Sequence, residues 1–214
     1  MISIKKFSHR GLIKDGIKEN SLEAFKNAYQ NNFRAIEFDI WYLKNQLVLK
    51  HNRPSNLNNL TTLEGLFCEF KNKVEYWLDF KNLNSKNCDS AVKEVRKIVD
   101  NLKIKPSQIY FAPFITDFVK AKIIYQAIRK YFDETSQIVA VIEKLDQKNY
   151  QKFYQQLKEN NIYGLSIEHK NINIEFKNIF YDIKIFAWTV NDQKTSNLLA
   201  KIGIENIATD KLLP

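Results

Sequence analysis

Short apolar runs rich in β-branched and aromatic residues alternate with longer stretches of helical spacing along almost the whole chain. The runs predict strands over Ile2–His9, Arg34–Ile40, Val74–Phe80, Ser107–Ala112, Gln137–Ile142, Ile162–Glu168, Lys184–Thr189 and Asn206–Thr209. Most gaps between them can hold a helix that returns the chain to a parallel neighbour. The best-marked helix follows Asn20, which reads as its N-cap with Glu23 three residues on; Leu22, Phe25, Ala28 and Tyr29 then share one face. Helical spacing recurs over Ser90–Asn101, Thr116–Tyr131, Asp146–Asn160 and Asp192–Ile202, the last capped by Asn191 or Asp192. Eight such β-units in 214 residues predict an α/β TIM (β/α)8 barrel, one domain over residues 1–214. An open doubly wound sheet is the alternative, because strand order cannot be read from one sequence.

One run breaks the alternation. Gln46–His51 has strand character but begins too soon after Asp39 for a helical crossover. It predicts the return arm of a hairpin, which would carry His51 back toward the strand holding Glu37 and Asp39.

Composition narrows the class. The chain is 44% hydrophobic and 13% aromatic, enough for a sizeable core and against a disordered tail. Its two cysteines exclude a disulfide framework and a cysteine-based zinc site, which fits a reducing compartment. No apolar run approaches the length of a membrane span. The first residues, Met1 to Phe7, are too short and too charged for a signal peptide, so cytoplasmic residence is expected. The net charge is +9, but the lysines are scattered. That reads as a solvated surface with no specific nucleic-acid partner, attraction to phosphate-bearing substrates or nucleic acid being the sharper alternative.

Period two places Glu37 and Asp39 on one strand face, with Ile36, Phe38 and Ile40 on the other. If the apolar face packs on helices, two carboxylates point inward, where repulsion and desolvation call for a cation. Oxygen ligands suit Mg²⁺ or Ca²⁺; a solvent-facing edge strand is the competing explanation. Asp79 and Lys81 share a face at the end of a later strand, as a third ligand and a phosphate contact or as a surface ion pair. His9 and His51 both end strands and suit general acid–base work, although a lone strand-end histidine is commonly structural. Arg10 beside His9 can clamp an anion, and Gly11 lets the backbone turn sharply. Trp188 is either an aromatic wall for a substrate or a core residue. His169 has no comparable pattern.

Taken in order, Ser8-His9-Arg10-Gly11, Glu19-Asn20-Ser21-Leu22-Glu23-Ala24-Phe25, Ile36-Glu37-Phe38-Asp39 and Leu47-Val48-Leu49-Lys50-His51-Asn52 resemble the glycerophosphodiester phosphodiesterase family. Trp188-Thr189-Val190-Asn191 and the run from Gly203 to Asp210 resemble its last two barrel strands. The resemblance implies a TIM barrel that splits a small-molecule phosphodiester into an alcohol and glycerol 3-phosphate. It implies His9 and His51 as general acid and base, and Glu37, Asp39 and Asp79 around one divalent cation. Arg10 and Lys81 would meet the phosphate, Trp188 would line the alcohol pocket, and Glu19 would support the site by orienting a catalytic group.

Three features depart from the family pattern. Asn52 follows the second histidine where Asp is common, and Asp79 stands where Glu is common. Only a short Asn-rich loop joins His51 to the next helix-like stretch at Leu60-Thr61-Thr62-Leu63-Glu64, so the usual insertion is much reduced. The competing functions are the same barrel acting on another lipid- or glycan-linked diester, and a non-catalytic phosphate-binding module. Oligomeric state is not readable.

Overall fold

The computed structural model describes residues 4–14, 16–115 and 117–214. Ile2 and Ser3 of the first predicted strand and Thr116 of a predicted helix lie outside the described residues. Among the described residues nine strands form: β1 (Lys5–His9), β2 (Ala35–Leu43), β3 (Gln46–Leu49), β4 (Glu75–Phe80), β5 (Ile109–Pro113), β6 (Gln137–Val141), β7 (Gly164–Glu168), β8 (Lys184–Trp188) and β9 (Asn206–Thr209). Eight of them pair in parallel as a closed ring, β1 bonding both β2 and β9, and β3 lies outside it, antiparallel to β2. This is a TIM barrel with the predicted hairpin arm, and it excludes the open sheet. The arm's turn is Lys44-Asn45, both at positive φ as a two-residue hairpin requires.

The helices are α1 (Leu22–Gln30), α2 (Leu63–Phe70), α3 (Cys88–Leu102), α4 (Phe118–Phe132), α5 (Tyr150–Glu159), α6 (Ile174–Ile179) and α7 (Gln193–Lys201). The six-residue α6 is not foreseen by the sequence reading, because so short a segment carries too little periodicity; Asn173 caps it by accepting from Phe176 N. Asp192 caps α7. The expected cap of α1 is corrected. Ser21, not Asn20, accepts from Ala24 N, while Asn20 adopts a positive φ and directs its amide elsewhere. No helix among the described residues is long and apolar enough to cross a membrane.

Strand alternation sends one face to the helices and the other into the ring. Ile36, Phe38, Ile40, Tyr76, Leu78 and Phe80 pack against the helical layer. Phe7, Ala35, Trp77, Tyr110, Val139, Phe186 and Ala208 fill the ring's interior. There Phe186 meets Trp77, Tyr110 and Phe7 at ring-centroid distances of 5.1, 5.2 and 6.0 Å. Below this plug, Glu75 accepts from Lys5 Nζ at 2.7 Å and from the Tyr110 hydroxyl at 2.6 Å. This charge pairing lies at the strands' N-terminal end. Phe186→Ala should remove roughly 3–5 kcal/mol of stability by opening a cavity in the plug. Urea denaturation of the variant against wild type measures it.

Candidate active site

Strand register assembles the site. His9 lies beside Glu37 across β1 and β2, and Asp39 lies beside Asp79 across β2 and β4. The β3 arm is anchored by Lys50 N donating to Asp39 O at 3.1 Å and Trp41 Nε1 donating to Lys50 O at 2.8 Å. These bonds bring His51 Nδ1 to 3.4 Å from Asp39 Oδ1. His9, Arg10, Glu37, His51, Asp79, Lys81 and Trp188 all line one cavity of about 190 Å³.

Asp39 has no exposed surface and is the hub. Arg10 Nε lies 2.9 Å from its Oδ2, a charge contact whose angle does not suit a hydrogen bond. Asn20 Nδ2 donates to the same oxygen at 2.8 Å, and Lys81 Nζ lies 2.7 Å from Oδ1. Burial opposes its charge, yet Lys81 and Arg10 hold its pKa below the usual carboxylate range. Glu37 lacks such compensation: burial pushes its pKa up to about 8, against the pull of His9. Asp79 is likewise raised by burial, although Lys81 Nζ sits 2.6 Å from its Oδ2.

The three carboxylates each offer an oxygen within 4.8 Å of the others. Asp79 Oδ1 is buried without a hydrogen-bond partner. Three converging carboxylates, one with an oxygen left unpaired, fit a hard divalent cation.

Backbone geometry places the Arg10 guanidinium. Arg10 and Gly11 both have positive φ. A Cβ on Gly11 would lie 2.6 Å from Ala24 Cβ, so only glycine lets the loop approach α1. Arg10 N donates to Glu37 O at 2.9 Å, and Asn20 N to Arg10 O at 2.9 Å. Glu19 Oε2 accepts from Arg10 Nη1 at 3.2 Å, so Glu19 orients the guanidinium.

Several site residues escape the sequence reading. Asp210 Oδ1 lies 2.7 Å from His9 Nδ1, and its Oδ2 accepts from Asn191 Nδ2 at 2.8 Å. Burial disfavours a charged His9, yet Glu37 and Asp210 together raise its pKa. The Gly203–Asp210 run marks this strand, but only ring closure reveals its partner. Asn20 was visible as a capping type and nothing more. Phe114, Val141, Glu143, Ser166 and Ala208 complete the far wall with no signal in the sequence. Lys81 Nζ stands 5.4 Å from the Phe114 ring centroid. His169 lies outside the cavity, its Nδ1 3.3 Å from Trp188 O.

Residues 9–69 match the model of the Glycerophosphoryl diester phosphodiesterase family, so the resemblance read from the sequence stands. That segment holds His9, Arg10, Glu19, Glu37, Asp39 and His51; Asp79, Lys81 and Trp188 lie beyond it. No curated protein matches the chain. Among solved structures, a candidate glycerophosphodiester phosphodiesterase from Galdieria sulphuraria superposes with a TM-score of 0.78 at 16% identity, covering 98% of this chain and 94% of that one. A glycerophosphodiester phosphodiesterase from Thermotoga maritima gives 0.70 at 19% identity, covering 97% and 95%. An Oleispira antarctica phosphodiesterase, solved with its product sn-glycerol-3-phosphate, gives 0.71 at 13% identity, covering 96% and 92%. These likenesses establish the shared fold.

Asn20→Ala deletes the amide that both donates to Asp39 Oδ2 and accepts from Asp39 N at 3.2 Å. It should cost roughly 1–3 kcal/mol, because Asp39 stays buried with fewer partners. The midpoint of guanidinium unfolding, at unchanged slope, checks it.

Proposed function

We propose, on the premise of that family resemblance, that this chain is a phosphoric diester hydrolase cleaving a glycerophosphodiester-like molecule into an alcohol and glycerol 3-phosphate. The observation that carries the reading is that both proposed proton-transfer groups, His9 and His51, open on the cavity lined by Glu37, Asp79, Arg10 and Lys81. The family match over residues 9–69 supports the same reaction class. The product bound to the Oleispira protein supports the small-molecule substrate.

Glu37, Asp39 and Asp79 would hold one divalent cation, Mg²⁺ or Ca²⁺, which when bound withdraws charge from the phosphoryl oxygens. Arg10 and Lys81 meet the remaining phosphate charge, which grows as the new bond to phosphorus forms. Glu19 aims Arg10 for that task. Asp210 fixes His9 through Nδ1 and leaves Nε2 facing the cavity side, 3.9 Å from Glu37 Oε2. His9 is deep, with 13% of its side chain exposed, and His51 sits at the mouth with 41% exposed. The pair therefore flanks a substrate from two depths. One imidazole takes the proton of the attacking hydroxyl or water, and the other protonates the departing alcohol oxygen. Trp188 and Phe114 wall the alcohol part with aromatic surface. The short loop after His51 leaves the mouth open, which allows bulkier alcohols than a lidded site. Cytoplasmic residence and a single domain belong to this reading.

Chelation with EDTA should abolish alcohol release from glycerophosphocholine, and added divalent cation should restore it. His9→Ala and His51→Ala should each lose roughly 10²–10⁴ of kcat while keeping the far-UV dichroism of wild type. Full activity in either variant removes the acid–base assignment. Asp210→Ala should lower kcat with little change in KM, since it acts on a substrate only through His9.

A further inference from the structure

We infer that Lys81 is a built-in counter-cation, held between Asp39 and Asp79 in the place of a divalent ion, and that it keeps this site's affinity for such an ion low. The inference rests on the metal reading proposed above.

Lys81 follows the last residue of β4, yet it does not behave as a surface lysine. Only 14% of its side chain is exposed. Its Nζ lies 2.7 Å from Asp39 Oδ1 and 2.6 Å from Asp79 Oδ2, bridging two carboxylates that strand register sets side by side. Both belong to the acidic trio. Were all three carboxylates ionised, as a bound cation requires, they would amount to −3; Lys81 and Arg10, both in contact with Asp39, bring +2. A net −1, in place of −3, is left to attract a cation.

An ammonium and a divalent ion cannot share the same two carboxylates at contact distance without strong repulsion. Lys81 must therefore be drawn off Asp39, whose other oxygen is taken by Arg10 and Asn20, before that group can ligate; Asp79 keeps Oδ1 unpartnered. The oxygens of a substrate phosphate offer the released ammonium a replacement partner. Through Lys81, phosphate and ion then favour one another's binding, beyond any direct contact between them. Arg10 does not serve in the same way, because its backbone, Glu19 and Asp39 fix it from three sides.

The test is titration of wild type, Lys81→Met and Lys81→Arg with Mn²⁺ alone, the free ion being read by electron paramagnetic resonance. All three proteins are titrated at the same pH. Lys81→Met, which keeps most of the stem and loses the charge, should bind Mn²⁺ on the order of tenfold tighter or more. Lys81→Arg should bind as weakly as wild type. A damaged fold loosens a metal site, so a gain in affinity cannot arise from misfolding. Equal or weaker Mn²⁺ binding by Lys81→Met overturns the inference and leaves the metal reading in place. Absence of Mn²⁺ binding in all three proteins overturns both.

Discussion

A carboxylate sealed from water sits at the junction of everything else in this molecule. Isolated, the charge on Asp39 would cost several kcal/mol to bury. It is stable because four segments meet it: Arg10 from the turn after β1, Asn20 from the start of α1, His51 from the β3 arm and Lys81 from the end of β4. Each partner is fixed by Asp39 as much as it fixes Asp39. Loss of that one side chain would leave the guanidinium to Glu19 and the ammonium to Asp79 alone. The hub is thus an organiser of the site's other charges as well as a candidate ligand.

The ring divides its labour around this hub. Strands β1 to β4, with the β3 arm, supply most of the charged groups, while β5 to β9 contribute Phe114, Val141, Ser166, Trp188 and Ala208, with Glu143 and Asp210 as their acidic members. One wall is electrostatic and the other is shape. A phosphodiester has the same polarity, an anionic centre carrying an organic substituent. The interior plug of Phe7, Trp77 and Phe186 gives both walls a rigid floor.

Local rules carried most of the architecture. Apolar runs of four to nine residues mark the eight ring strands, because a strand buried on both faces has little freedom in composition. The shortness of the gap before Gln46 was enough to separate the arm from the ring. Asn20 shows where such rules fail: a good capping residue next to a helix start is a local signal, and a tertiary demand from Asp39 overrode it. Ser21, one step on, took the cap. Asp210 was beyond reach for a different reason. Its partner His9 is 201 residues away, and no pattern in either neighbourhood encodes the pairing. The aromatic and small residues of the far wall are ordinary core types until the ring is closed around them.

The seam where β1 meets β9 has a consequence for how the molecule comes into being. While a ribosome extends the chain, the imidazole of His9 is already made, but the group that aims it is absent for two hundred residues. A partly synthesised or partly opened barrel therefore carries the imidazole without that contact. Only when the last strand docks beside the first does His9 meet Asp210, so this pairing exists only in the closed ring.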